Sequence, residues 1–157
     1  MPWNNPYLNP IIEKAKKILK KHFQTELDTI IRVCSLEEMT EETLKEANQD
    51  RKTKTQIDRI ISVLPVMRGK YFHFLNEIWV IEEKGENLLT IVHELLHSIQ
   101  KCNPKRENIN FFICYKLLND DSRLTPSQLK DWLEIEKMVG FEKIKEQFLT
   151  SGHCEDF

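Results

Sequence analysis

Glu77-Ile78-Trp79-Val80-Ile81-Glu82-Glu83-Lys84-Gly85-Glu86-Asn87-Leu88-Leu89-Thr90-Ile91-Val92-His93-Glu94-Leu95-Leu96-His97-Ser98-Ile99 is the stretch from which the fold follows. Its first residues, β-branched and aromatic, read as a strand. Lys84-Gly85-Glu86 breaks that strand, and a helix is expected from about Asn87 to Lys101, ended by Cys102-Asn103-Pro104-Lys105. Just upstream, Tyr71-Phe72-His73-Phe74 followed by Leu75-Asn76 reads as a second short strand and a turn, antiparallel to the first.

Working toward the N-terminus, Gln56 to Val66 is ambiguous. Ile57, Ile60, Ile61 and Leu64 suit a helix, whereas Ile60-Ile61-Ser62-Val63 suits a buried strand. Ser35 with Glu38 three residues later marks the start of a helix lasting to about Asn48. Leu27 to Val33 reads as a strand, and Asn9-Pro10 as the N-cap and first-turn proline of a helix running to about Gln24. Toward the C-terminus, Arg106 to Leu118 is apolar on almost every side and reads as a buried helix. Thr125-Pro126-Ser127-Gln128 opens a helix that ends at Gly140, and a short helix covers about Phe141 to Leu149. Helix, strand, helix, a small mostly antiparallel sheet and then helices make an α+β pattern. With no repeat or linker in 157 residues, a single domain over 1–157 is expected.

The 23 basic residues are balanced by 25 acidic ones, for a net charge of −2. That balance argues against a nucleic-acid binder working through a general basic field. No apolar run is long enough to span a bilayer and the start lacks a signal-peptide pattern, so the reading is of a cytoplasmic protein without membrane partners. Cys34, Cys102, Cys114 and Cys154 are widely spaced, which suggests neither a disulfide framework nor a zinc ribbon.

The chemistry sits in the central helix, where His93-Glu94-Leu95-Leu96-His97 is a His-Glu-x-x-His pattern. Residues i and i+4 share one helical face, so the two imidazoles can converge on one Zn²⁺ while Glu94 projects beside it. Zinc lowers the pKa of bound water and polarises a carbonyl, and a glutamate at that place accepts the water's proton as general base. Thr90 and Ile91 before the motif, the uncharged Leu95 and Leu96 inside it, and Ile99 after it extend the pattern.

With these residue classes at these offsets, the sequence resembles the zincin metallopeptidases. The resemblance implies a zincin-like fold and a peptide or protein substrate. It also implies a sheet edge beside the active-site helix that pairs with an extended peptide; Glu77 to Glu83 is in the matching place, with Ile78 and Val80 as substrate-binding residues. A metzincin would carry a histidine six residues past His97, where Asn103 stands. A gluzincin instead takes a glutamate from a later helix, and the small minigluzincins are similar in size.

Three residues compete for the third ligand position. In the helix Ser127 to Val139, Leu129, Trp132, Leu133 and Val139 define an apolar stripe at about 100° per residue, and Glu136 falls inside it. A carboxylate there needs a cation, which zinc would supply. Glu107, with Asn110, faintly resembles the glutamate helix of regulatory gluzincins, although Ile109 stands where that pattern has alanine. Cys114 is expected opposite His93 and could ligate as thiolate. Glu136 ranks first, then Glu107, then Cys114. The tail Ser151-Gly152-His153-Cys154-Glu155-Asp156-Phe157 holds several ligand types and is a candidate autoinhibitory segment, as in the minigluzincins as a group. The competing reading is a catalytically silent zincin scaffold that binds peptides without cleaving them.

Overall fold

The computed structural model describes residues 1–100 and 108–150. It is an α+β molecule with seven α-helices and one three-stranded sheet among those residues: α1 (Asn9–Phe23), β1 (Ile30–Cys34), α2 (Leu36–Gln49), α3 (Lys54–Val63), β2 (Gly69–Phe72), β3 (Glu77–Ile81), α4 (Leu88–Ile99), α5 (Asn108–Leu118), α6 (Pro126–Val139) and α7 (Phe141–Leu149).

Local signals set most boundaries. Ser35 and Glu38 close a reciprocal capping box at α2, as do Thr125 and Gln128 at α6, each satisfying two otherwise unpaired amides. Thr53 and Gln56 do the same for α3, which settles the ambiguous segment as helix followed by a 3-10 turn at Leu64–Val66. At the start of α1, a 3-10 turn over Pro6–Leu8 feeds straight into the helix, so Asn9 is its first residue and not its cap. The strand expected from Leu27 begins only at Ile30; Lys16 Nζ donates to the Thr29 carbonyl at 3.0 Å, just ahead of the point where pairing with β3 begins.

The sheet departs from the sequence reading in an important way. Its order is β1-β3-β2, with β1 parallel to β3 and β2 antiparallel to it, so the sheet is mixed and β3 is central. Trp3 bridges Val33 and covers part of the outer edge of β1. Because strand side chains alternate, Ile31, Val33, Ile78 and Val80 form one face, packed with Ala15 and Leu19 of α1 and with Ile91, Val92, Leu95 and Leu96 of α4. Cys34, Phe72, Trp79 and Ile81 form the other, covered by Met39 of α2 and by Leu64. Helix α4 is thus wedged between the sheet and its helical neighbours, and α5 continues the same core through Ile109, Phe112 and Ile113.

Candidate metal centre

Asn87 starts the helix that carries the motif: its Oδ1 accepts from the Thr90 amide at 2.9 Å. With Ile91, Val92, Leu95 and Leu96 wholly buried, the remaining face of α4 presents His93, Glu94 and His97 to a groove. The Nε2 atoms of His93 and His97 lie 3.2 Å apart, with the rings edge to face. A Glu94 oxygen is 3.8 Å from His93 Nε2. Their donor atoms form a group compact enough for a single ion.

This set fits zinc. Two Zn–N bonds of about 2.0–2.1 Å at the tetrahedral angle put the nitrogens about 3.3 Å apart, and the observed separation is 3.2 Å. The tautomer fits as well. Gln100 Oε1 faces His97 Nδ1 at 3.1 Å, a contact suited to a proton on Nδ1, and that tautomer would leave the Nε2 lone pair toward His93. Asn110 of α5, fully buried, places its amide nitrogen 3.2 Å from His97 Nδ1 and 3.3 Å from Nε2. Phe111 stacks on His93 with ring centroids 4.8 Å apart, and the guanidinium of Arg123 lies over the Phe111 ring.

Gly69 sets the width of the site. A Cβ there would meet Thr90 Cγ2 at 3.0 Å and Glu94 Cγ at 3.4 Å, so the absence of a side chain lets β2 lie against the helix beside Glu94. Sequence reasoning passed over Gly69, Gln100, Phe111 and Arg123. The one visible signal was Asn110, a carboxamide within an otherwise apolar helix.

Two site expectations need correction. Ile78 and Val80 do not meet a peptide: both are fully buried in β3, which is paired on both sides. The strand beside the histidines is β2, whose Gly69, Lys70 and Tyr71 line the groove. Glu136 is not brought to the imidazoles; its carboxylate pairs with Lys116 Nζ of α5 at 2.7 Å. The apolar stripe of α6 was centred one residue off, since Leu133 and Val139 are exposed while Trp132 is buried and Ile135 packs against the core. Glu136 therefore sits at the rim, where a lysine satisfies it.

Cys114 is wholly buried, and its thiol is pushed up to about 12, first by burial and then by the Glu94 charge. Burial likewise pushes Cys34 up to about 12. At neutral pH both are protonated thiols, poor as ligands and as nucleophiles. In a Cys102→Ser/Cys154→Ser background, a thiol-reactive disulfide reagent at pH 8 is therefore expected to modify neither until the protein is unfolded. Prompt labelling of either in the native protein would contradict the burial assigned to it. Glu107 and the tail 151–157 lie outside the described residues.

A second grouping, Glu46, Asp50 and His73, stands at the far end of the groove. Its members are in contact with one another and with a lysine. Lys70 Nζ is 3.2 Å from Glu46 Oε1, and the two imidazole nitrogens of His73 face different carboxylates, Nδ1 toward Glu46 at 3.3 Å and Nε2 toward Asp50 at 3.1 Å. One donor atom from each of these three residues also lies close enough together for an ion, but two of the three are exposed and Lys70 already occupies the Glu46 carboxylate.

No helix among the described residues is long and apolar enough to cross a membrane. No protein-family model, curated protein or solved structure matches this chain.

Proposed function

We propose that this chain is a zinc-dependent peptide hydrolase of zincin-like architecture, in which His93 and His97 hold the metal and Glu94 is the general base. The observation that carries this reading is the 3.2 Å approach of the two Nε2 atoms with the Glu94 carboxylate on the same helical face. A carboxylate only 6% exposed carries a desolvation cost of several kcal/mol, and a divalent cation beside it offsets that cost.

Zinc held there supplies a water acidified toward neutrality and an electrophile for the scissile carbonyl. Glu94 takes the proton of the attacking water and returns it to the departing amine, a shuttle that needs no covalent intermediate. Gln100 and Asn110 contact His97 and hold the orientation of its ring. Phe111 packs on the His93 ring and limits its rotation.

The peptide is positioned by β2. The Ile81 amide donates to the Arg68 carbonyl at 2.7 Å, which makes Arg68 a bonded partner of the central strand. In an antiparallel ladder bonded positions alternate, so Lys70 and Phe72 share that role, and the backbone groups of Gly69 and Tyr71 point away from β3 into the groove. An extended peptide can take them as the next strand.

For the third ligand we favour Glu107, which precedes Asn110 and Phe111, both in contact with the histidines, by three and four residues. Metal analysis tests the assignment. About one zinc per chain is expected in the parent and in Glu136→Ala, with loss from His93→Ala, His97→Ala and Glu107→Ala. A parent that takes up no zinc from excess would end the hydrolase reading, whereas loss in Glu136→Ala alone would reinstate that residue as ligand.

A further inference from the structure

The groove that holds the histidines extends well beyond them, along β2 to the C-terminal end of α2 and the 3-10 turn at Leu64–Val66, with a volume of about 700 Å³. Four cationic side chains from three parts of the chain line it: Lys52, Arg68 with Lys70, and Arg123. Among the described residues, its carboxylates apart from Glu94 are Glu46 and Asp50. Both are engaged, Glu46 by Lys70 and His73, Asp50 by His73. Among the described residues, the side chains of Lys52 and Arg68 have no ion pair or hydrogen bond, and both are exposed. The whole chain carries a net −2, so the placing of Lys52 and Arg68 together is a property of the groove and not of the molecule.

The strand geometry says where that charge acts. Side chains of β2 alternate: position 69 faces α4, with its Cβ direction aimed at Thr90 and Glu94, while Lys70 faces Glu46 of α2 on the other side. A peptide added to the free edge alternates in the same way. Every second side chain then projects toward His93, Phe111 and Arg123, and the intervening ones toward Arg68, Lys70 and Lys52.

We propose that the groove selects acidic peptides, with aspartate or glutamate at the positions that project to the Arg68 and Lys52 side. This deepens the hydrolase reading and rests on the groove being its peptide site. Opposite charges meeting at a partly exposed surface are each worth roughly a two- to fivefold gain, and the same field raises the rate of encounter. Two such contacts give about a tenfold preference for a glutamate over a lysine peptide.

The test uses the full chain as Glu94→Gln, loaded with zinc, and three fluorescent peptides identical except for Glu, Gln or Lys at alternate positions. Binding by anisotropy is expected to rank Glu over Gln over Lys, with about a tenfold span that shrinks in 0.5 M salt. In Lys52→Glu/Arg68→Glu the order should reverse; Lys52→Glu alone, at an exposed turn, should narrow it and guards against a double variant that misfolds. Equal binding of the three peptides, no binding of any, or an order untouched by the reversals overturns the proposal. Hydrolysis of the same peptides by the parent chain is read separately. Selective binding without cleavage would reject the hydrolase and leave the acidic selectivity standing.

Discussion

Glu94→Gln is expected to abolish peptide hydrolysis while leaving zinc bound. Glutamine keeps the shape and the hydrogen-bonding reach of the side chain but cannot accept the water's proton at neutral pH, so a loss of about 10²- to 10⁴-fold is expected from the general-base step alone. The fold should be unaffected, because Glu94 makes room for itself beside Gly69 and glutamine has nearly the same volume. The metal should stay, because the imidazoles converge without the carboxylate, their Nε2 atoms 3.2 Å apart and His97 held by Gln100. Zinc content, thermal unfolding and hydrolysis rate, measured on one preparation, check all three points. A variant that cleaves at the parental rate would remove Glu94 from the chemistry. One that loses zinc would make it a ligand and not a base.

The second large effect is expected outside the motif helix, at Gly85→Ala. A Cβ at this position would lie 2.1 Å from the Arg68 carbonyl oxygen, 2.9 Å from the Ile81 nitrogen and 2.9 Å from Val80 Cβ. Two of these are backbone atoms, so no side chain can rotate aside, and the two atoms are themselves bonded, Ile81 N to Arg68 O at 2.7 Å. The Gly85 amide also closes onto the Ile81 carbonyl at 2.8 Å. Relieving the clash means breaking one of these bonds and shifting the entry to β2, a loss of about 3 kcal/mol. For a chain of this size that lowers the melting temperature by roughly 6–12 °C. Because Arg68 and Gly69 adjoin the groove, peptide binding should weaken at temperatures where the variant is still folded. A melting temperature within 2 °C of the parent would show that the turn absorbs a methyl group and that the close approach is not needed.

Glycine at 85 illustrates which features a sequence displays. Lys84-Gly85-Glu86 was readable as the end of a strand, because turn chemistry is local. The reason only glycine fits is not local: the atom it avoids belongs to Arg68, brought alongside by antiparallel pairing. The same division runs through the site. The capping boxes at Ser35 and Thr125, the strand-to-helix order and the shared face of His93, Glu94 and His97 depend on short spacings along the chain, and each was legible, whereas the third box, at Thr53 and Gln56, was not read. Cys114 was legible as a residue opposite the motif helix but not as a thiol raised to about 12, since burial and the Glu94 charge both come from packing.

The identity of the edge strand was hidden for the same reason. Ile78 and Val80 look like a substrate-binding strand because they directly precede the motif helix, yet β1 returns from over forty residues earlier to pair in parallel with β3 and make it central. Nothing in the periodicity of β3 distinguishes an edge from a centre, and the difference lies in which partner arrives. Glu136 was misplaced by a similar cause. Its helix carries apolar residues around much of its circumference, and the packing of α6 onto α5, with Trp132 stacked on Phe112 and Lys116 beside Glu136, chose the buried side.

The sequence by itself determined that this chain is α+β and that two imidazoles and a carboxylate share one turn of one helix, because those are consequences of chain-local geometry. Tertiary structure alone decided that β2 is the strand beside them, that Gly69, Gln100, Asn110 and Phe111 shape their surroundings, and that cations gather along the groove. Those features join residues far apart in the chain, and their positions are set by which apolar faces bury one another, a choice made by the whole core at once.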